Sequence, residues 1–302
     1  MASTAPRPPT ISVLPTELIK EILSQIQCQS TLSRASQTCK VWHALATPLV
    51  FHAPDFHNKS SFERFLVAVE SGSQVGRLVR ELNLLSTPQH WEFVTDTALE
   101  RVCKSCPELV HLDLEGCLSV RDKGLKAISE NAPQLLSLSL SFCDRITDVG
   151  VKYIAEGCPS LILLELKCLP FVSDDSVRKI ANSCSHLESV NLGGTRITEN
   201  SVVDLFAKCK KLTFLDLSSC YNIAYPENFD VNKPEGLEIV FDSLMEGDAP
   251  WESDGSDGEW EEDEGDNGQF PAHTHFFHHH HGPLEDYEEY PDGFSFEIGF
   301  DI

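Results

Sequence analysis

The sequence predicts an α/β solenoid of stacked repeats, headed by a small helical module. Three observations carry this. A short tag, Val-Thr-Asp-x-x-Leu or a close variant, recurs at Val94–Leu99, Val120–Leu125, Ile146–Val151, Val172–Val177 and Ile197–Val202, at steps of 26 residues and finally 25. A second element keeps the same register: Leu112-Asp-Leu114, Leu138-Ser-Leu140, Leu164-Glu-Leu166, Val190-Asn-Leu192 and Leu215-Asp-Leu217. Upstream of both, a short helical stretch carries more apolar surface than it can bury. A fixed step of this size marks a stacked repeat protein. Such proteins bind along an extended surface and their repeats bring no chemistry of their own, so recognition is expected rather than catalysis.

In chain order, the first ten residues carry no apolar core of a secretory signal and are expected to be disordered. From Ile11 to Ile26, Leu14, Leu18 and Ile22 make one apolar stripe, and Ile19, Leu23 and Ile26 an adjacent one. Pro15 sits where a helix start tolerates it. A second amphipathic segment follows at Ser30–Thr38, with Leu32 and Ala35, and then Cys39-Lys-Val-Trp-His-Ala-Leu45. Three short helices in about 45 residues cannot enclose this much apolar surface, so part of it is expected to meet a partner.

The string Leu-Pro-x-Glu-Leu, then Cys-x-x-Trp, then Pro-Leu-Val-Phe51 resembles the F-box over residues 11–56. One departure stands out: Gln27-Cys-Gln-Ser30 occupies the place of the usual acidic-Pro turn. The resemblance implies docking onto the small adaptor subunit of an SCF-type cullin–RING ubiquitin ligase, and through it onto cullin. The implied adaptor-binding residues are Leu14, Pro15, Leu18 and Ile22, with Trp42 and Leu45 packed beneath or beside them.

Residues 57–74 read as a linking helix, with Phe62, Phe65, Leu66 and Val69 at i, i+3, i+4 and i+7. Residues 75–245 read as the solenoid. In each copy the alternating pair is strand periodicity, leucines inward and the residue between outward. Leu82-Asn-Leu84 is an earlier copy, offset by an insertion around Thr87–Trp91, and Leu237-Glu-Ile-Val-Phe241 is a degenerate last one. The Thr-Asp or Ser-Asp pair suits a helix start, since its oxygens accept first-turn N–H groups. Pro107, Pro133 and Pro159 follow the helix ends. Cys106, Cys158, Cys184 and Cys209 close helices, with Ala132 in the remaining slot; Cys117, Cys143 and Cys220 follow the strands, with Leu169 taking that slot beside Cys168. Alanine in place of cysteine fits a small buried residue. This pattern resembles the cysteine-containing leucine-rich repeats over roughly residues 78–223. It implies parallel strands on a concave face and helices on a convex one.

Composition excludes other classes. The chain has a formal net charge of −24. No Lys or Arg follows Lys233, however, and about half of all Asp and Glu lie beyond Tyr225. The folded part is near neutral and has no basic stripe for nucleic acid. No apolar run reaches membrane-spanning length. Eleven cysteines, an odd number with no secretory signal, point to reduced thiols and a cytoplasmic or nuclear protein. Cys103-x-x-Cys106 offers two of the four ligands zinc needs, and Cys106 belongs to the periodic set, so no metal or other cofactor is expected. His90 and His186 read as surface residues, and no catalytic constellation is defensible.

The expected target-binding surface is the outward strand face, led by His111, Asp113, Glu115, Ser139, Glu165, Lys167, Asn191, Phe214 and Asp216. Its mild acidity suits a protein target with basic or hydroxyl groups. The functional expectation is a non-catalytic target receptor of the ligase; the alternative is an interaction protein that sequesters a regulator without ubiquitination. Residues 246–302 read as a largely disordered tail. It contains an acidic run at Glu252–Asp266 and a histidine tract at His273–His281, read as solvated linker rather than metal site. Its end, Phe294–Ile302, alternates like a strand, suiting either an added strand or an internal competitor for the strand face.

Overall fold

The computed structural model describes residues 14–26, 28–71, 74–85, 87, 89–223 and 233–241. The expectations for residues 1–10, for Gln27 and for the tail at 246–302 lie outside these residues.

Three helices form the head: α1 (Thr16–Ser24), α2 (Gln29–Ser36) and α3 (Lys40–His52). Pro15 takes the N-cap position of α1 at φ −52°, ψ 145°, where its missing N–H leaves no donor unpaired. Ile19 and Leu23 pack with Leu32, Ala35, Ala46 and Val50 into a separate small core, with Trp42 and Leu45 half-buried against it. The two stripes on α1 thus part company, and only the Ile19 side faces inward. The segments at Cys39–Leu45 and Pro48–Phe51 join into one helix, α3, which continues through Pro48.

The linking helix is α4 (Lys59–Glu70). Asn58 and Ser61 form a reciprocal capping box at its start. Phe62, Phe65, Leu66 and Val69 are all buried, as their spacing predicts. They do not join two separate bodies, however; they belong to the solenoid's own core. Phe56 packs edge-on against Phe62 and Phe65, at centroid distances of 5.3 and 5.1 Å. A forked ion pair from Arg101 to Glu70, at 2.6 and 2.7 Å, ties α4 to the first repeat helix. The Arg80 N–H donates to the His52 carbonyl at 2.9 Å, so the end of α3 is fastened to the start of the sheet.

The solenoid runs β1 (Glu81–Asn83), α5 (His90–Phe93), α6 (Asp96–Ser105), β2 (His111–Asp113), α7 (Asp122–Asn131), β3 (Ser137–Ser139), α8 (Asp148–Gly157), β4 (Leu163–Glu165), α9 (Asp174–Ser183), β5 (Ser189–Asn191), α10 (Glu199–Lys208), β6 (Phe214–Asp216) and β7 (Glu238–Val240). Its seven strands form one parallel sheet in sequence order, and the last copy joins as expected. The inward leucines Leu112, Leu138, Leu164 and Leu215 are at most 1% exposed. Each such burial contributes roughly 1.5–3 kcal/mol.

Three residues past each of β2 to β6 the chain turns through the left-handed region: Gly116, Phe142, Cys168, Gly194 and Ser219 all have φ between 57° and 71°. This conformation aims the N–H sideways. Gly116, Phe142 and Cys168 donate to Ser141, Lys167 and Gly193 of the next repeat, at 2.7–2.9 Å. Glycine fills the position only twice; elsewhere the lateral hydrogen bond and packing offset a cost of about 1–2 kcal/mol.

The Thr-Asp pair divides its work differently from the expectation. Thr95, Thr147, Ser173 and Thr198 do cap their own helices. The aspartates do not; each reaches the following repeat. Asp122 accepts the Thr147 N–H and hydroxyl at 2.9 and 2.7 Å. Asp148 accepts the Ser173 N–H at 2.8 Å and the Ser173 and Ser176 hydroxyls at 2.6 Å each. Asp174 accepts the Thr198 N–H and hydroxyl at 2.7 and 2.6 Å. The helix-closing cysteines behave alike. Cys158, Cys184 and Cys209 each donate a thiol hydrogen to the closing carbonyl of the preceding repeat, at 3.6 Å.

Burial alone would raise the Asp148 carboxyl, but the hydrogen bonds from Ser173 and Ser176 outweigh it and hold it below the usual carboxylate range. A carboxylate held low in the folded state stabilises above its unfolded value and loses that contribution as the pH falls through the folded value. The wild-type array should therefore lose stability on acidification below about pH 4. Asp148→Ala should cost about 2–3 kcal/mol at neutral pH, since it strands the Ser173 N–H and hydroxyl and leaves the Ser176 hydroxyl only the Ser173 carbonyl, and should flatten the acid limb. Urea denaturation at a series of pH values measures both.

Candidate functional site

Two surfaces stand out. Along α1 and just before it the outer stripe is exposed, Leu14 by 39%, Leu18 by 52% and Ile22 by 48%, while Ile19 and Leu23 on the inner side of α1 are buried. Pro15, beside them, is also exposed. On α3 Val41 is a fourth exposed aliphatic, 47%, that the sequence reading did not single out. Trp42 differs from the rest of the expected docking set, because its ring is half-buried on the head's own core. Four aliphatic side chains of this small module thus face water.

The second surface is the open side of the sheet. Pairing register puts His111, Ser137, Leu163, Ser189 and Phe214 in one lateral row, and Asp113, Ser139, Glu165, Asn191 and Asp216 in the next. His111 is exposed; Asp113, Glu115, Glu165, Lys167, Asn191 and Phe214 are half-buried. Ser139 and Asp216 depart from the expectation of a presented face, being only 7% and 8% exposed. Asp216 folds back to accept the Ser218 N–H and hydroxyl. Asp113 and Asn191 make the same turn, each taking the N–H two residues on at 3.0 Å, so one oxygen of each serves the backbone. Ser139 is short and stands between the longer Asp113 and Glu165. Leu163 was missed; only register, not residue type, places it on this face.

A hollow of about 340 Å³ opens over β1–β4, bordered by Glu81, His111, Asp113, Ser139, Leu163 and Glu165. Beside it, burial, then the neighbouring Asp113 and Glu165 charges, push the Glu115 carboxyl up, against opposing pulls from Lys167 and His90. His90 is the clearest reversal. It is buried, with Nδ1 2.9 Å from the Thr87 carbonyl and Nε2 2.8 Å from the Glu115 carbonyl. The insertion that breaks the repeat spacing is thereby clamped onto the loop after β2.

The cysteines divide sharply. Burial pushes Cys103, Cys106, Cys158 and Cys184 up to about 12. Cys28, exposed at the start of α2, is lowered to about 7, chiefly by hydrogen bonds with the Ser30 and Thr31 side chains. Iodoacetamide at pH 7.5 should therefore alkylate Cys28 first. Peptide mass spectrometry should show that label within minutes, the buried cysteines unlabelled until denaturant is added, and the fast phase gone in Cys28→Ser.

The chain thus joins a helical head with exposed aliphatic side chains to a parallel sheet whose open side is largely polar. The F-box-like family model matches residues 11–57, and the leucine-rich-repeat model matches residues 105–129 and 132–155. The chain has the F-box/leucine-rich-repeat architecture. No curated protein matches it. Among solved structures, it is similar to a chain in the crystal structure of the Rad7 and Elc1 complex in yeast, at 15% identity and a TM-score of 0.40. The match covers 62% of this chain and 65% of that one, under two thirds of its length. Among the described residues, no helix is long and apolar enough to cross a membrane.

Proposed function

We propose that this protein is a target-receptor subunit of an SCF-type cullin–RING ubiquitin ligase. The F-box-like head would seat the adaptor on Leu14, Pro15, Leu18 and Ile22, with Trp42 holding the head in shape from within. The strand face, with His111, Asp113, Glu115, Glu165, Lys167, Asn191 and Phe214, would hold the protein target. The chain itself would perform no chemistry; ubiquitin transfer would follow from proximity, with cullin and its partners supplying the catalytic parts. Its working place would be the cytoplasm, the nucleus or both.

One observation supports this reading above the others. α1 buries Ile19 and Leu23 almost completely, yet its Leu18 and Ile22, and Leu14 just before it, stay roughly half in water. A helix in a self-sufficient domain would hide one stripe and make the other polar. Here both sides are aliphatic, and the outer one is the side an adaptor would cover. The fastening of α3 and α4 to the solenoid supports the second half of the proposal. It holds the strand face at a set distance from the docked adaptor, and so keeps a bound target at high local concentration.

The test is Leu14→Asp combined with Leu18→Asp. Docking would bury two unpaired charges at a cost of about 3–5 kcal/mol each. Adaptor affinity should fall more than a hundredfold, read by titration calorimetry. The thermal unfolding of the solenoid should stay within a degree or two, because both residues are exposed in the free chain. Wild-type binding by the double variant would sink the assignment of this face. Co-purification of adaptor without cullin would favour sequestration over ubiquitin transfer.

A further inference from the structure

We propose that the hollow over β1–β4 receives one arginine side chain of the protein held on the strand face. This rests on the reading of that face as the target surface, and adds the chemistry of what it grips.

The argument begins with Ser139. Its residue is only 7% exposed, and its hydroxyl oxygen has no hydrogen-bond partner. Buried hydroxyls are nearly always satisfied, and Ser139 borders the open hollow, so a turn about its Cα–Cβ bond would offer the unpaired hydroxyl to a ligand's polar group. Pairing register sets Ser139 between Asp113 and Glu165, and all three border the hollow. One oxygen of Asp113 serves the Glu115 N–H at 3.0 Å, which leaves the other free. Glu81, at the rim, stands 3.9 Å from His52. The nearest lysine on this face, Lys167, acts on Glu115 rather than bordering the hollow. The charged side of the hollow is therefore carboxylate, with an acceptor hydroxyl set deep between two acids.

The occupant should thus be a donor-rich cation. Asp113 and Glu165 stand two strands apart, about 10 Å between backbones. A planar fork of five N–H donors can reach both and leave one donor for the hydroxyl; a compact ammonium offers a single point of charge. Leu163, between Ser137 and Ser189 in its row, supplies an apolar surface for the methylene stem.

The experiment titrates the full chain, labelled for amide NMR, with N-acetyl-arginine amide, N-acetyl-lysine amide and the neutral N-acetyl-citrulline amide. Expected are saturable shifts at Ser137, Ser139 and Glu165 with the arginine compound, severalfold weaker binding of the lysine compound, and none of citrulline. Asp113→Asn with Glu165→Gln should weaken arginine binding about tenfold, while Asn keeps the Asx turn. Ser139→Ala should leave the melting temperature unchanged or raised, since no partner is lost, yet weaken arginine binding severalfold. Equal shifts from citrulline, no saturable shift from any compound, or arginine binding indifferent to the double variant would overturn the proposal. The same double variant is assayed for adaptor binding. Adaptor retained with arginine binding unaffected removes only the arginine assignment, whereas a wild-type chain that fails to bind adaptor removes the receptor reading itself.

Discussion

Among the described residues, neighbouring repeats of this solenoid complete one another's hydrogen bonds, and the rest of the architecture depends on that. The left-handed residues Gly116, Phe142, Cys168 and Gly194 aim their N–H at the next copy, Asp122, Asp148 and Asp174 accept from the next copy's cap, and Cys158, Cys184 and Cys209 donate to the copy before. The leucine core is likewise continuous, running from Phe56 to Leu237 without a break. Ordering one residue costs about 1–2 kcal/mol in entropy, which a single strand, loop and helix cannot offset. Stability accumulates only across interfaces between copies, and a register error at one copy would misplace every donor beyond it.

The head obeys the opposite logic. It has its own small core and then leaves aliphatic side chains in water. The two modules are still not independent. Phe51 touches both cores, and α4, which spacing alone marks as a connector, buries its phenylalanines in the solenoid. A helix placed between domains has here become the first layer of the second, so the boundary lies near residue 53 rather than beyond residue 74.

Much of this was legible in the sequence because it is periodic. Leucines two apart must point the same way, and a 26-residue step must place them in register. The strands, the helices, the closing cysteines and the last strand follow from that. What stayed hidden depends on where side chains turn after the backbone is laid down. Asp148 looked like a local cap, and only the stacking distance shows that its oxygens meet Ser173 and Ser176 instead. Asp216 and Ser139 share an outward position with Glu165, but one folds onto its own loop and the other is too short to clear its neighbours. His90 lay in the one stretch where the period fails, so no pattern could announce its burial. Leu163 was overlooked because residue type, rather than position, guided the choice of face.

The aspartate contacts all run one way along the stack. Each carboxylate serves the copy on its C-terminal side, so the interface between copies is directional. Cutting the array from its far end would bare those anions together with the N–H groups that Gly116, Phe142, Cys168 and Gly194 aim at the following copy. Cutting it from the near end would orphan backbone donors and strip off the aromatic lid of α4 together. The two ends of the stack are therefore chemically unlike: the phenylalanines of α4 cover the first, while carboxylates point toward the last.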